Sequence, residues 1–266
     1  MILGAFEIKM RTIAHASLPI SHGRLLHAAV LDLVRKYDEE LSQELHNANI
    51  KSFSLGLLDL GHLKPSYGKF NLMTDTRVNW ELCSLDTRLT KLLMSVADNI
   101  VVRIGSAVFE IEHILLKNNL LVDTYQLVAK AEALKLVDSF TINFVTPTTF
   151  RFYNVDYPFP RPDLIFASLV ERWNRIDDTL SFDIEKLKAI ANQYIVPIRW
   201  DGASKRVNTT PKIGVTGFTG VFTFDMKVLP EEYRKIFILL LLFSAFSGIG
   251  RLTAQGLGKV LVEYGN

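Results

Sequence analysis

At 266 residues the chain has room for one large or two ordinary domains, and its 48 % hydrophobic and 22 % charged residues exclude a disordered chain. The net charge of +2 neither announces nor excludes a polyanionic partner, because basic residues can gather on one face. The single cysteine, Cys83, excludes an internal disulfide framework and suits a reducing compartment; no signal-like segment opens the chain, so a cytoplasmic location is expected.

Met1 to Ile13 alternates loosely through Ile2, Ala5, Phe6, Ile8 and Met10 and reads as a strand. Pro19-Ile20-Ser21 then prepares a helix with Ser21 as N-cap, and Leu26, Ala29, Val30, Leu33 and Tyr37 share its apolar face. Arg24, His27 and Arg35 fall on the opposite face. Asp38 can cap a shorter helix that ends at His46. Lys51 to Leu58 and Phe70 to Val78 read as strands, Leu82 to Ala97 as a helix, and Val101 to Leu116 as strand material. The same order follows again. Val137 to Val145 is a strand, Asp163 to Arg175 and Phe182 to Ala191 are helical, and Val196 to Trp200 and Gly214 to Met226 are strands. Trp200 to Arg206 reads as a loop. Pro230 opens an apolar helix in its first turn, and its run Ile236–Phe246 is far short of the roughly 20 residues a membrane span needs. No membrane partner is expected. Two βαββαβ units in tandem predict an α+β fold of two ferredoxin-like (RRM-like) domains, 1–133 and 134–266.

Between the apolar helix and a final strand at Val260 to Val262 lies a loop with two Gly-X-Gly pairs, Gly248-Ile249-Gly250 and Gly256-Leu257-Gly258. A dinucleotide fingerprint needs strand, glycines, then helix, and the order here is reversed; a P-loop is absent too. Glycines let a backbone lie against another chain, successive amides can hold an anion, and Arg251 and Lys259 add charge for phosphate. The loop is expected to grip a nucleic-acid backbone; a ligand-free C-terminal hairpin is the plain alternative. His15, His22, His62 and His113 show no metal-ligand spacing, so neither a metal nor a cofactor is expected, and no G-x-S-x-G supports a serine nucleophile.

The glycine loop occurs together with two other segments. One runs from Thr146-Pro147-Thr148-Thr149-Phe150-Arg151 through Tyr157-Pro158-Phe159-Pro160 and Leu164-Ile165-Phe166-Ala167-Ser168-Leu169 to Arg172-Trp173-Asn174. The other comprises Leu18-Pro19 and its helix, Leu45-His46, and Lys51 with Phe53-Ser54. In this combination the chain resembles the CRISPR-associated endoribonucleases that cut precursor CRISPR RNA within its repeats, members of the repeat-associated mysterious protein superfamily. The resemblance implies metal-independent cleavage. A 2′-hydroxyl attacks the neighbouring phosphate, giving a 2′,3′-cyclic phosphate and a 5′-hydroxyl. Such chemistry needs a base, an acid and a cation.

The resemblance places His46 as the principal acid–base residue and Lys51 as the cation. At a helix C-terminus the dipole favours imidazolium while Lys51 opposes it, which suits a group titrating near neutrality. Many relatives carry a tyrosine midway along the first helix, where this chain has Leu31; His27 and Arg24 are the candidates to replace it, and Tyr37, read as pointing coreward, is weaker. Arg151, Arg161, Arg172, Lys205, Arg206, Lys212 and Arg251 are basic residues that could follow the RNA, gripping a stem through phosphates and 2′-hydroxyls. The implied partner is CRISPR repeat RNA, precursor and mature, with effector-complex subunits or a second copy as further partners. Two other functions fit the same folds: a non-catalytic RNA-binding subunit of a CRISPR effector, and a ferredoxin-like interaction module.

Overall fold

The computed structural model describes residues 1–177, 179–208 and 214–265, and the chain separates into two compact units. The first holds Ile2–Leu121 together with Ala254–Gly256. In chain order its elements are β1 (Ile2–Thr12), β2 (Ala16–Pro19), α1 (Gly23–Arg35), α2 (Glu39–Asn47), β3 (Phe53–Leu55), β4 (Lys69–Leu72), β5 (Arg77–Ser84), α3 (Thr87–Ser95), β6 (Ile100–Ile104) and β7 (Ala107–Asp123). The sheet runs β3-β5-β1-β7-β6, the ferredoxin-like order with one added strand, while β2 and β4 pair separately. Alternation builds it: Phe6, Ile8 and Met10 of β1 are buried, while Glu7, Lys9 and Arg11 are half-buried on the other face. Leu26, Ala29, Val30, Leu33 and Val34 of α1 complete a core around Trp80, Phe53 and Phe109. The carboxylates of Asp38 and Asp86 cap α2 and α3 by accepting from Leu41 and Leu89.

The second unit holds Met1, Val122–Thr253 and Leu257–Asn266. It contains α4 (Thr124–Ala133), β8 (Ser139–Thr148), β9 (Phe150–Phe152), β10 (Val155–Tyr157), α5 (Pro162–Ile176), α6 (Ile184–Tyr194), β11 (Val196–Asn208), β12 (Gly214–Asp225), α7 (Glu231–Ser247) and β13 (Val260–Gly265). Its antiparallel sheet, β11-β12-β8-β13, repeats the ferredoxin-like order. Phe140 and Phe224 stack with centroids 5.0 Å apart, and Phe166 meets Phe237 edge-on at 4.5 Å. Packed against α4, α5 and β13, α7 is buried nearly all round from Phe237 to Ser247, hence its unbroken apolar run.

Several expectations change. Tyr37 lies beyond the end of α1 and is 44 % exposed, so it does not point coreward. His22, not Ser21, occupies the N-cap of α1, and its side chain makes no cap bond. The Lys51 to Leu58 strand shrinks to Phe53–Leu55. Phe70 to Val78 breaks at a turn where Asp75 has φ 63°, giving two strands in different sheets. The Leu82 to Ala97 helix starts only at Thr87, because β5 runs on through Ser84 to the Asp86 cap. A turn at Gly105, with φ 64°, folds Val101 to Leu116 into two strands. The segment read as a loop, Trp200 to Arg206, continues β11. Pro230 is the N-cap of α7 rather than part of its first turn. Helix α4, absent from the sequence reading, opens the second unit, whereas the division at 133/134 puts it in the first.

His22 links three segments of the first unit. Its Nδ1 contacts the Pro19 carbonyl at 3.0 Å, and its Nε2 accepts from the Leu58 amide at 3.1 Å. A carbonyl can only accept and an amide N–H only donate, so the ring is neutral with the proton on Nδ1. Burial pushes its pKa down, opposed by the Pro19 and Ile20 carbonyls. A depressed histidine binds more protons unfolded, so its contribution is complete above the ordinary value of about 6.5 and is lost as pH falls through the folded pKa. The urea midpoint of the wild type should therefore fall on acidification below about 6.5, and His22→Gln should lose part of that slope. An unchanged slope in the variant would contradict the assignment.

Candidate active site

The first turn of α1 begins at Gly23, and among the described residues the amides of Gly23, Arg24 and Leu25 have no acceptor. Such a helix start favours anions. Arg24 stands there exposed and, among the described residues, without a carboxylate partner. One turn on, His27 is half-buried with its ring against Phe53, centroids 5.3 Å apart. Its Nδ1 lies 3.0 Å from the carbonyl oxygen of Ala254. Burial, then the charges of Lys51, His46 and Arg24, push the imidazole below its ordinary range, and the Ala254 bond only partly opposes them. The neutral form of His27 is thus favoured, its Nδ1 proton is committed, and among the described residues its Nε2 has no hydrogen-bond partner.

His46 is exposed in the last turn of α2, and Lys51 follows the helix end. The Lys51 ammonium donates to the carbonyls of His46 at 2.5 Å and Ala48 at 2.7 Å, capping the helix electrostatically. Burial lowers its pKa. Two of its three protons are used, and the third remains for a ligand. Leu31, by contrast, packs on the apolar core. His27, Arg24, His46 and Lys51 therefore form one electrostatic neighbourhood in the first unit.

The glycine loop is occupied with its own fold. Gly248, Gly250, Gly256 and Gly258 all have positive φ, 65°, 79°, 84° and 71°. A Cβ at Gly250 would overlap the Thr149 carbonyl oxygen, one at Gly258 that of Ile249, and one at Gly256 would come 2.6 Å from Leu57 Cδ2. The amides of Gly248, Ile249, Gly250, Arg251, Leu257, Gly258 and Lys259 all donate within the protein. An anion-holding nest of these amides, the expectation from sequence, is replaced by a self-satisfied loop. The chain on which its glycines lie is their own.

Arg172 holds part of this loop together. Its guanidinium donates to the Ser247 carbonyl at 2.9 Å, the Gly250 carbonyl at 2.6 Å and the Thr253 hydroxyl. Burial lowers its pKa to about 10, so it stays charged at neutral pH. With its donors turned inward it is not placed to meet RNA. Arg251 and Arg151 share one carboxylate, Asp156, and both remain part-exposed, leaving a net positive patch. Arg161 pairs with Asp163 at 2.9 Å and lies over the Phe152 ring at 4.9 Å. Lys205 and Arg206 are exposed on β11, an edge strand of the second unit. Lys212 lies outside the described residues. Among the described residues no three His, Cys, Asp or Glu side chains cluster as metal ligands, and no helix is long and apolar enough to cross a membrane.

Sequence reasoning missed the Ala254 carbonyl and Gly23. The only signal for either was a glycine at a helix start and a glycine pair bracketing the loop tip.

Two tandem ferredoxin-like units, one carrying a histidine–lysine cluster, define the class of fold and site. Models of the two domains of one family match residues 8–126 (CRISPR Cas6 N-terminal domain) and 142–260 (CRISPR-associated endoribonuclease Cas6). The chain belongs to the Cas6 family. A Cas6 endoribonuclease from Mycobacterium tuberculosis is 30 % identical over 129 residues, 47 % of this chain and 38 % of that protein. One from Streptococcus thermophilus is 30 % identical over 133 residues, 47 % of this chain and 50 % of that protein. The matches thus span half or less of the curated relatives' length. A solved Cas6 product complex superposes with TM-score 0.74 at 20 % identity, covering 99 % of this chain and 100 % of that one, which shows a shared fold.

Stability and RNA affinity should therefore part company within the loop. Gly258→Ala and Arg172→Met should each destabilise, by roughly 2–4 kcal/mol, through a forced positive φ and through orphaned buried carbonyls respectively. Arg251→Ala should melt near wild type yet bind repeat RNA more weakly, with the salt dependence reduced by about one phosphate contact. Melting curves and filter binding on the same three variants check this.

Proposed function

We propose that the protein is a metal-independent endoribonuclease that cleaves CRISPR repeat RNA in precursor transcripts to give mature guide RNAs. The observation that carries this is the His27 ring, its Nδ1 3.0 Å from the Ala254 carbonyl, grouped with Lys51, His46 and Arg24. His27 Nε2 takes the proton of the 2′-hydroxyl, and the 2′-oxygen attacks the adjacent phosphorus. The bond from phosphorus to the 5′-oxygen breaks, and that oxygen receives a proton from His46. Burial first, then the charges around the ring with Lys51 foremost, disfavours the imidazolium form of His27, as a base requires. Arg24, the third Lys51 proton and the α1 amides face the charge that builds on the phosphate oxygens. This shifts the base from His46, favoured by resemblance, to His27. Arg151 and Arg251 supply backbone contacts to the RNA. Lys259, Lys205 and Arg206 add charge along the second unit. The proposed partner is the repeat RNA itself; neither effector subunits nor a second copy are needed for the chemistry.

Repeat RNA should be cut equally in EDTA, leaving a 2′,3′-cyclic phosphate, and a 2′-deoxy nucleotide 5′ of the scissile bond should abolish cleavage. His27→Ala and His46→Ala should each slow single-turnover cleavage by roughly 10²- to 10⁴-fold with RNA affinity little changed. Loss of activity on chelation, restored by Mg²⁺, would sink the mechanism. Tight binding with no cleavage by the wild type would instead support the non-catalytic RNA-binding subunit.

A further inference from the structure

The tip of the glycine loop, Ala254–Gly256, belongs to the first unit, and Ala254 is 6 % exposed within that unit's core. The tip forms part of a 3₁₀ turn, Thr253–Gln255. It lies against the first turn of α1 so closely that a Cβ on Gly23 would overlap the Gln255 carbonyl oxygen. Leu57 closes the other side, its Cδ2 where a Cβ of Gly256 would stand. Gly23 has no positive φ to explain its choice, and glycine at a helix start is no better a former than alternatives. What it supplies is space. The Gln255 carbonyl fills that space, and the turn so seated holds the preceding carbonyl oxygen, that of Ala254, 3.0 Å from His27 Nδ1.

We infer that Gly23 and the Ala254 carbonyl form a positioning pair that fixes the tautomer of His27. A carbonyl oxygen cannot donate, so contact with it requires the proton on Nδ1, leaving the lone pair on Nε2. Free imidazole in a histidine side chain prefers the opposite tautomer, with the proton on Nε2, in which no base would face outward. The Phe53 ring, tilted 31° to the imidazole, limits its rotation, and the carbonyl fixes which edge is basic. Gly23 acts only through the loop, and the Ala254 side chain is immaterial because the backbone supplies the acceptor. The inference deepens the proposed function and, for its catalytic consequence, rests on His27 as base.

Two-bond ¹H–¹⁵N spectra of histidine-labelled protein test it, taken at a pH above the histidine range, with single-turnover cleavage measured alongside. Wild-type His27 should show a protonated Nδ1 and a pyridine-like Nε2. Gly23→Ala should displace the turn, return His27 toward the Nε2-protonated form, and lower the cleavage rate about tenfold or more while RNA affinity holds. A wild-type His27 protonated on Nε2 overturns the inference whatever the activity, and this stands even if Gly23→Ala fails to fold. A folded Gly23→Ala with unchanged tautomer and rate overturns the role of Gly23. If the tautomer is as expected but His27→Ala cleaves normally, the loop's assignment stands and the base assignment falls.

Discussion

A carbonyl oxygen can accept a hydrogen bond but never donate one, and at Ala254 that asymmetry decides what His27 can do. Everything else in the candidate site is arranged around a ring whose Nδ1 is spoken for. Phe53 packs against it, burial and then the charges of Lys51 and Arg24 disfavour its charged form, and the anion-favouring start of α1 lies one turn away. A neutral base in a positive surround suits a reaction whose substrate is a polyanion. The charges attract the phosphate and, by the same field, hold the base in its working form.

The loop that delivers this carbonyl explains the density of glycine near the C-terminus. Positive φ at Gly248, Gly250, Gly256 and Gly258 lets the chain cross its own backbone within van der Waals distance. The amides of the two Gly-X-Gly pairs that donate within the protein, those of Gly248, Ile249, Gly250, Leu257 and Gly258, are used in doing so. For the proposed RNA contact, side chains on the rim supply charge, and the Arg151–Asp156–Arg251 group keeps a positive excess after its internal pairing. Arg172 contributes differently: it carries a full charge inward, where carbonyls and a hydroxyl replace water.

The architecture was legible where local chemistry repeats. The alternation of Phe6, Ile8 and Met10, the caps at Asp38 and the spacing of apolar residues in α1 and α7 sufficed for the element order and the paired ferredoxin-like units. It was illegible where small polar residues sit in strands. Gly202 and Gly220 face each other in the β11–β12 ladder, and a Cβ on either would strike the opposite backbone. Trp200 to Arg206 therefore resembled a loop. In the site, His46 and Lys51 were visible as a pair through their short separation. His27 was visible only as a polar residue on a helix, because its defining partner, Ala254, lies 227 residues away. Glycine in the loop does serve close backbone approach, and the approaching backbone is the protein's own.

The central claim is that burial, and after it the charge of Lys51, keeps His27 in its basic, neutral form, and the pH dependence of single-turnover cleavage tests it most directly. Lys51 is the largest of the neighbouring charges acting on His27, so removing it should raise the pKa of that imidazole. The acidic limb of the Lys51→Met profile should then lie at higher pH than that of the wild type, even though its plateau is lower. An acidic limb that stays in place in Lys51→Met while the plateau falls would show that the charge of Lys51 does not act on the group that must be neutral, and would contradict the account.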